Sequence, residues 1–206
     1  MAASRQRHKP APRARPAQRT VLGAFFLSGF AGLMHQVVWA KLLAQLIGAT
    51  AHAQAVVLAV FMGGLALGAV WLGRRADRDP RPLRTYVWLE CLIAGYCLLL
   101  PLLLLAAERG YVALAELVFE SGGLKLLLRC ALAVLAVLPP AVLMGGTLPV
   151  LARHLVGRVE DTQRQVADLY ALNSFGAVLG AGIAGFVTLP AFGVYVSLGL
   201  AALLNL

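Results

Sequence analysis

Residues able to do chemistry are few and widely spaced in this sequence. The chain of 206 residues has nine acidic side chains, four histidines and three cysteines. Cys91, Cys97 and Cys130 form neither a CxxC pair nor a cluster with histidine, which favours apolar packing over metal binding. No Ser-His-Asp triad or pair of carboxylates stands out. The sequence therefore predicts no catalytic residue, no metal site and no cofactor.

One glycine pattern imitates a cofactor motif. Residues 180–185 (GAGIAG) fit G-x-G-x-x-G, which binds a dinucleotide only between a strand and the start of a helix. Here the pattern lies inside an apolar run. Gly176 and Gly180, like Gly64 and Gly68, instead have the four-residue spacing that lets helices approach closely in lipid. We therefore predict helix packing at these glycines.

Polar side chains inside apolar runs are the candidates for a functional site, because each is costly at membrane depth. The candidates are His35, Gln36, Trp39, Glu90 and Asn173. In the first run they lie near one face with Ser28. That face is expected either to line a polar cavity or only to bond a neighbouring helix, and both interpretations stay open.

Glu90 lies about one turn inside the third apolar run. An ion pair with basic residues at the same end of the bundle is the favoured interpretation, and a proton or substrate site is the alternative. The basic residues concerned are Arg74, Arg75 and Arg153. Asn173 is expected to bond another helix.

Composition shows which elements must hold these side chains. Hydrophobic residues make up 60% of the chain and charged residues 13%, and the mean hydropathy is +0.80. Each crossing of a ~30 Å hydrocarbon core needs about 20 apolar residues. The predicted fold is an all-α, polytopic membrane helix bundle with about six transmembrane helices. The spans are predicted at residues 21–47, 53–73, 86–107, 126–152, 166–190 and 194–206. The last run is short for a crossing, so we expect it to be truncated.

Three further segments have predictable behaviour. Residues 1–19 are basic and Pro/Ala-rich, which indicates a disordered tail. Residues 108–121 have the spacing of an amphipathic helix lying along the outer membrane surface. In the fourth span, Pro139-Pro140 and the run from Gly145 to Pro149 remove backbone hydrogen bonds and predict a kink or break.

Charge placement predicts the orientation. With the N-terminus in the cytoplasm, the inner segments carry fourteen Lys and Arg residues and the outer segments three, while Lys41 lies within the first span. This asymmetry predicts a multi-pass protein of the cell inner membrane with residues 1–19 cytoplasmic. The net charge of +9 does not indicate nucleic acid, because the basic residues lie in the tail and in short loops.

Four segments, in this order, resemble the membrane half of bacterial spermidine-synthase-like proteins. They are FLSGFAGLMHQVVW (26–39), VLAVFMGGLALG (57–68), LMGGTLP (143–149) and LYALNSFGAVLG (169–180). His35 stands where the family pattern would have an aromatic residue. In that family, membrane helices similar to those of major facilitator transporters precede a soluble aminopropyltransferase-type domain. That catalytic domain does not occur within these 206 residues, so the resemblance carries over no active-site residue.

The loop after the second span is similar to the major facilitator signature G-x-x-x-D-R-x-G-x-R. Gly73, Asp77 and Arg78 match it, and Pro80 replaces its second glycine. The similarity implies that Asp77 and Arg78 cap and pair helix ends, although a solvated basic loop explains the same charges.

The resemblance implies a membrane domain that anchors a transferase domain, or that moves its substrate or product. The implied partners are the lipid bilayer, a soluble transferase domain and a polyamine or related small molecule. The alternative is a half-transporter of major facilitator type, which would pair with a second membrane half to move a small solute, with a cation as one candidate.

Overall fold

The structure, a computed structural model, describes residues 16–47, 51–118, 122–155 and 162–206. These ranges are helical almost throughout and contain no strand, so the all-α prediction is confirmed for them. The elements are α1 (Pro16–Ile47), α2 (Ala51–Ala76), α3 (Pro82–Val118), α4 (Gly122–Leu155), α5 (Thr162–Ile183), a π-helical segment (Ala184–Thr188) and α6 (Leu189–Leu204).

Five helical stretches of the described ranges are long and apolar enough to cross a membrane. They are Arg19–Ala44, Gln54–Ala76, Pro82–Tyr111, Cys130–Leu155 and Gln163–Leu204. Many large apolar side chains on these helices are exposed, as expected where lipid is the solvent. Membrane character is therefore supported, whereas a count of six crossings stays a prediction.

Glycines bring α1 onto α5. A Cβ atom added at Gly176 would overlap the carbonyl oxygen of Phe26, and one at Gly180 would overlap that of Phe30. Because both residue numbers rise together, the two helices run in the same direction. The backbones touch where a side chain would keep them apart, so the predicted packing role of this four-residue spacing is confirmed.

Close backbone contact at glycines also joins α2 to α4. A Cβ at Gly68 would overlap the Val142 carbonyl oxygen, and one at Gly145 would overlap that of Leu65. Gly64 lies against Ala141 in the same interface, so the prediction for Gly64 and Gly68 is also confirmed. These two helices likewise run in parallel.

Of the kink or break predicted in the fourth span, the break is absent. α4 is one continuous helix from Gly122 to Leu155, with three prolines inside it. Pro139 has no N–H to bond the carbonyl of Leu135, but the Tyr96 hydroxyl of α3 donates a hydrogen bond to that oxygen at 3.3 Å. A neighbouring helix thus satisfies a freed carbonyl group, which is how prolines are tolerated in membrane helices.

Two predicted boundaries also change. The helix of the third span does not end near residue 107, because α3 continues without a break to Val118. Gly110 is the one helix-weakening residue between 102 and 118, and a single glycine does not stop a helix rich in Leu and Ala. Residues 108–118 thus extend α3 instead of forming a separate element, and residues 119–121 lie outside the described ranges. α1 begins at Pro16, and the rest of the predicted tail is likewise not described.

The sharpest break occurs at Gly193, where φ is +76° within α6. Ala184 and Ala201 both pack against Met34 in one buried cluster. A straight helix would separate Ala184 from Ala201 by about 25 Å, so the chain must fold back at Gly193. This reversal falls between the predicted fifth and sixth segments, and it brings the end of α6 back into the bundle against α1 and α3.

Substitution of Gly180 tests the contact between α1 and α5. We expect Gly180→Ala to lower the free energy of unfolding by about 1–3 kcal/mol, because its methyl group would overlap the Phe30 carbonyl oxygen. Gly182→Ala is the matched control, since a Cβ there meets nothing within 4 Å, and its effect should stay within about 0.5 kcal/mol. Reversible unfolding in mixed micelles measures both, and equal effects would contradict the contact.

Substitution of Tyr96 tests the hydrogen bond to α4. Tyr96→Phe removes the hydroxyl that donates to the Leu135 carbonyl, and we expect a loss of about 1 kcal/mol of stability in the same assay. Tyr195→Phe serves as the control, because the Tyr195 side chain is 71% exposed. A Tyr96→Phe protein as stable as the control would show that the freed carbonyl needs no such partner.

Candidate intramembrane polar site

A buried hydrogen-bonded chain of side chains links α1, α3 and the end of α6. Asn205 Nδ2 donates to Glu90 Oε2 at 2.7 Å, and Asn205 Oδ1 lies 3.1 Å from His35 Nε2. The carboxyl group requires a donor, so the amide nitrogen faces Glu90 and the amide oxygen accepts from His35 Nε2–H. Glu90 is 6% exposed, Asn205 7% and His35 0%.

Two hydroxyl groups complete the surroundings of Glu90. Ser28, on α1, and Tyr86, one turn before Glu90 on α3, both place their hydroxyl groups near the carboxyl group, but neither forms a direct hydrogen bond to Oε1. Phe25 packs edge-on against Tyr86, with ring centroids 6.3 Å apart. The carboxyl group is thus surrounded by neutral polar groups and aromatic rings.

The other end of the chain is aromatic. The His35 and Trp39 rings are stacked, with their centroids 5.6 Å apart, and Phe61 of α2 packs edge-on against Trp39. Trp39 is fully buried. From Ser28 to Trp39 the site extends about 16 Å along α1, roughly half the thickness of a hydrocarbon core.

Three buried polar atoms of this site have no hydrogen-bond partner within the described residues. They are Glu90 Oε1, His35 Nδ1 and Trp39 Nε1. The first two are acceptors when Glu90 is ionised and His35 carries its proton on Nε2, and the third is a donor. Unpaired polar atoms are rare in protein interiors, so three in one cluster make this cluster the candidate functional site.

The structure brings together His35, Trp39 and Glu90 among the five candidates. Gln36 is half-buried, and no hydrogen bond joins it to this group in the described part of the chain. Asn173 has a different role, since its Nδ2 donates to the Phe25 carbonyl oxygen at 3.1 Å across the α1–α5 contact. Asn173 therefore bonds another helix, as predicted.

The ion pair expected for Glu90 is not formed among the described residues. Arg74, Arg75 and Arg153 are exposed, whereas the Glu90 carboxyl group is buried and bonded to an amide. Glu90 also lies deeper than one turn, about 12 Å along the axis from the start of α3. The difference arises because α3 begins at Pro82 and not near Tyr86, since proline suits a first helical turn.

The residues of the transporter-like signature occupy the turn between α2 and α3. Asp77 N–H donates to the Gly73 carbonyl oxygen at 3.2 Å, and the side chains of Asp77 and Arg78 are exposed. Asp79 stabilises the turn before α3, because it accepts hydrogen bonds from the Thr85 hydroxyl and from the Arg81 N–H. These bonds, led by that from Thr85, lower the pKa of the Asp79 carboxyl.

Asn205 and Tyr86 are the site residues that the sequence did not indicate. Tyr86 has a weak signal, since it precedes Glu90 by four residues and therefore shares its face of α3. Asn205 lies only one residue beyond α6, and nothing local shows that the chain reverses to bring it to Glu90. For both residues, the signal available in the sequence was a polar side chain inside an apolar run.

The arrangement is suited to binding a small cation with hydrogen-bond donors, because it offers a free carboxyl oxygen, two hydroxyl oxygens and aromatic faces. No group of three or more potential metal ligands occurs among the described residues. Comparison with protein-family models, curated proteins and solved structures finds no match for this chain.

Proposed function

We propose that this chain is a membrane domain that binds a small alkylamine at Glu90. The observation that carries the proposal is the Glu90 carboxyl group, which is buried among neutral partners and has one unbonded oxygen. An ammonium group has three N–H donors and a positive charge, so it would satisfy Oε1 and the neighbouring hydroxyl oxygens together. Ionisable groups at membrane depth are costly and commonly mark solute or proton sites.

The four sequence segments suggest the setting of this domain. On that basis we propose a membrane domain of a spermidine-synthase-like protein, which anchors a soluble transferase domain or moves its polyamine substrate or product. The Tyr86 ring beside Glu90 supports an amine ligand, since cations bind to the faces of such rings. A reading frame that continues beyond Leu206 into a soluble transferase domain is the expected genetic context.

A half-transporter of major facilitator type is the second candidate. Helix packing favours this candidate, because α1 runs parallel to α5 and α2 runs parallel to α4. The bundle is therefore built from two closely packed helix pairs, against which α3 and α6 pack. In this case the reading frame should contain a second membrane block, or two copies of the chain should associate.

We also propose six crossings, with the N-terminus in the cytoplasm of a bacterial inner membrane. Exposed arginines lie at one end of the bundle: Arg19, Arg74, Arg75, Arg84, Arg153 and Arg164. The helix ends that carry them share one buried cluster, which includes Phe25, Ala76, Tyr86, Val150 and Leu169. Basic residues gathered at one end favour a cytoplasmic location for that end.

Cysteine labelling tests this topology. In a background with Cys91, Cys97 and Cys130 changed to alanine, we expect a membrane-impermeant maleimide to label Gly123→Cys in intact spheroplasts. Pro80→Cys should react only after permeabilisation, because the proposed topology places it in the cytoplasm. Both positions are exposed in the structure. The reverse labelling pattern would contradict the proposed orientation.

Spermidine binding tests the function. We expect spermidine to raise the unfolding temperature of the purified protein, with a stabilisation of about 2.7 kcal/mol at a hundredfold excess over Kd. Glu90→Gln removes the negative charge at nearly constant shape. We therefore expect the affinity for spermidine to fall by at least tenfold and the stabilisation to be lost with it.

Glu108→Gln is the matched control, since Glu108 is an exposed carboxylate on the same helix and should bind spermidine like the unchanged protein. A wild-type protein that spermidine does not stabilise would refute the amine site. A Glu90→Gln protein that does not fold would indicate that Glu90 mainly supports the structure.

A further inference from the structure

A negative charge on Glu90 would be uncompensated among the described residues. Its carboxyl group is 6% exposed in a helix with the composition of a membrane span. A bare carboxylate in such surroundings is far costlier than the neutral acid, because its charge has lost the stabilisation of water. Without a bound cation, the neutral acid is therefore the stable form.

Among the described residues, the neighbouring elements supply no positive charge near this carboxyl group. On α3 itself the titratable neighbour is Tyr86, and α1 contributes Ser28 and, through Asn205, the neutral ring of His35. α6 contributes the Asn205 amide. On the described part of α4, Arg153 and His154 are exposed near the end of the helix.

From these contacts we infer that Glu90 exchanges a proton for the amine that it binds. In the resting protein Oε1 carries a proton. When an alkylammonium arrives, the Oε1–H bond breaks and the proton leaves to water, while the ammonium keeps its three protons and pairs with the carboxylate. One proton leaves when one ammonium group pairs with Glu90, so the carboxyl group and that ammonium group together carry no net charge, like the neutral acid before the exchange.

Asn205 and His35 position the Glu90 carboxyl group for this exchange. His35 Nε2–H holds the amide oxygen, which turns Asn205 Nδ2 toward Oε2. One carboxyl oxygen is therefore bonded in both states, and the other remains for the proton or the ammonium. Asn205 and His35 are positioning residues, since neither needs to contact the amine.

This inference rests on the amine site proposed above, and its test separates the two. Titration calorimetry of the wild-type protein with spermidine, in two buffers of different ionisation enthalpy, measures the protons released per amine bound. We expect about one proton, and a Kd that falls about tenfold for each pH unit from mildly acidic to neutral pH, where an alkylammonium stays charged. Acidification favours the neutral acid and so weakens binding.

Three variants extend the test. Glu90→Asp keeps an acid and should still release a proton on binding, while Glu108→Gln should match the wild-type protein in both affinity and proton release. Asn205→Ala leaves Oε2 unbonded, so the curve of spermidine Kd against pH should shift along the pH axis. If Asn205 had a purely structural role, the substitution would change stability and leave this curve in place.

Each outcome is decisive. Spermidine binding with about one proton released supports the exchange. Binding with no proton released, or with a Kd independent of pH, overturns the exchange and leaves the amine site standing. An absence of spermidine binding refutes the amine site and the exchange with it.

Discussion

Direct contact between helix backbones sets the depth at which each polar side chain of this protein lies. Gly176 and Gly180 press α5 against carbonyl oxygens of α1, and Gly68 and Gly145 do the same for α2 and α4. Such contacts tolerate no sliding, because a shift of one residue would replace a glycine with a side chain. The register of the helices follows from these contacts, and so does the position of α1 relative to the rest of the bundle.

The polar site depends on that register. α1 presents Ser28 and His35 on its buried side, α3 presents Glu90, and the reversal at Gly193 returns Asn205 to the same level. The Asn205 amide is well suited to the junction, since it can donate to a carboxyl group and accept from an imidazole at once. Three helices meet there without any compensating charge among the described residues.

Local chemistry in the sequence predicted much of this arrangement. Long apolar runs predict the helices, and glycine spacing predicts which faces touch. The polar residues within apolar runs include three members of the site, His35, Trp39 and Glu90. These features can be predicted from the sequence because each depends on the composition of a single segment.

Features that depend on two segments could not be predicted in this way. The prolines of α4 imply a kink or break, and the hydroxyl of Tyr96 on another helix satisfies one of the carbonyl groups that they free. Asp79, and not Asp77, accepts hydrogen bonds from Arg81 and Thr85, and this depends on where α3 begins. The partner of Glu90 is 115 residues away, beyond a reversal that one glycine permits.

That separation has a consequence for the biosynthesis of the protein. A ribosome adds 115 residues in on the order of ten seconds, so α3 is complete well before Asn205 exists. During this interval Glu90 has no amide to hold its carboxyl group. Insertion of α3 is least costly with that group as the neutral acid. The nascent chain thus carries the neutral acid into the bilayer, and the later arrival of Asn205 then holds one oxygen of its carboxyl group.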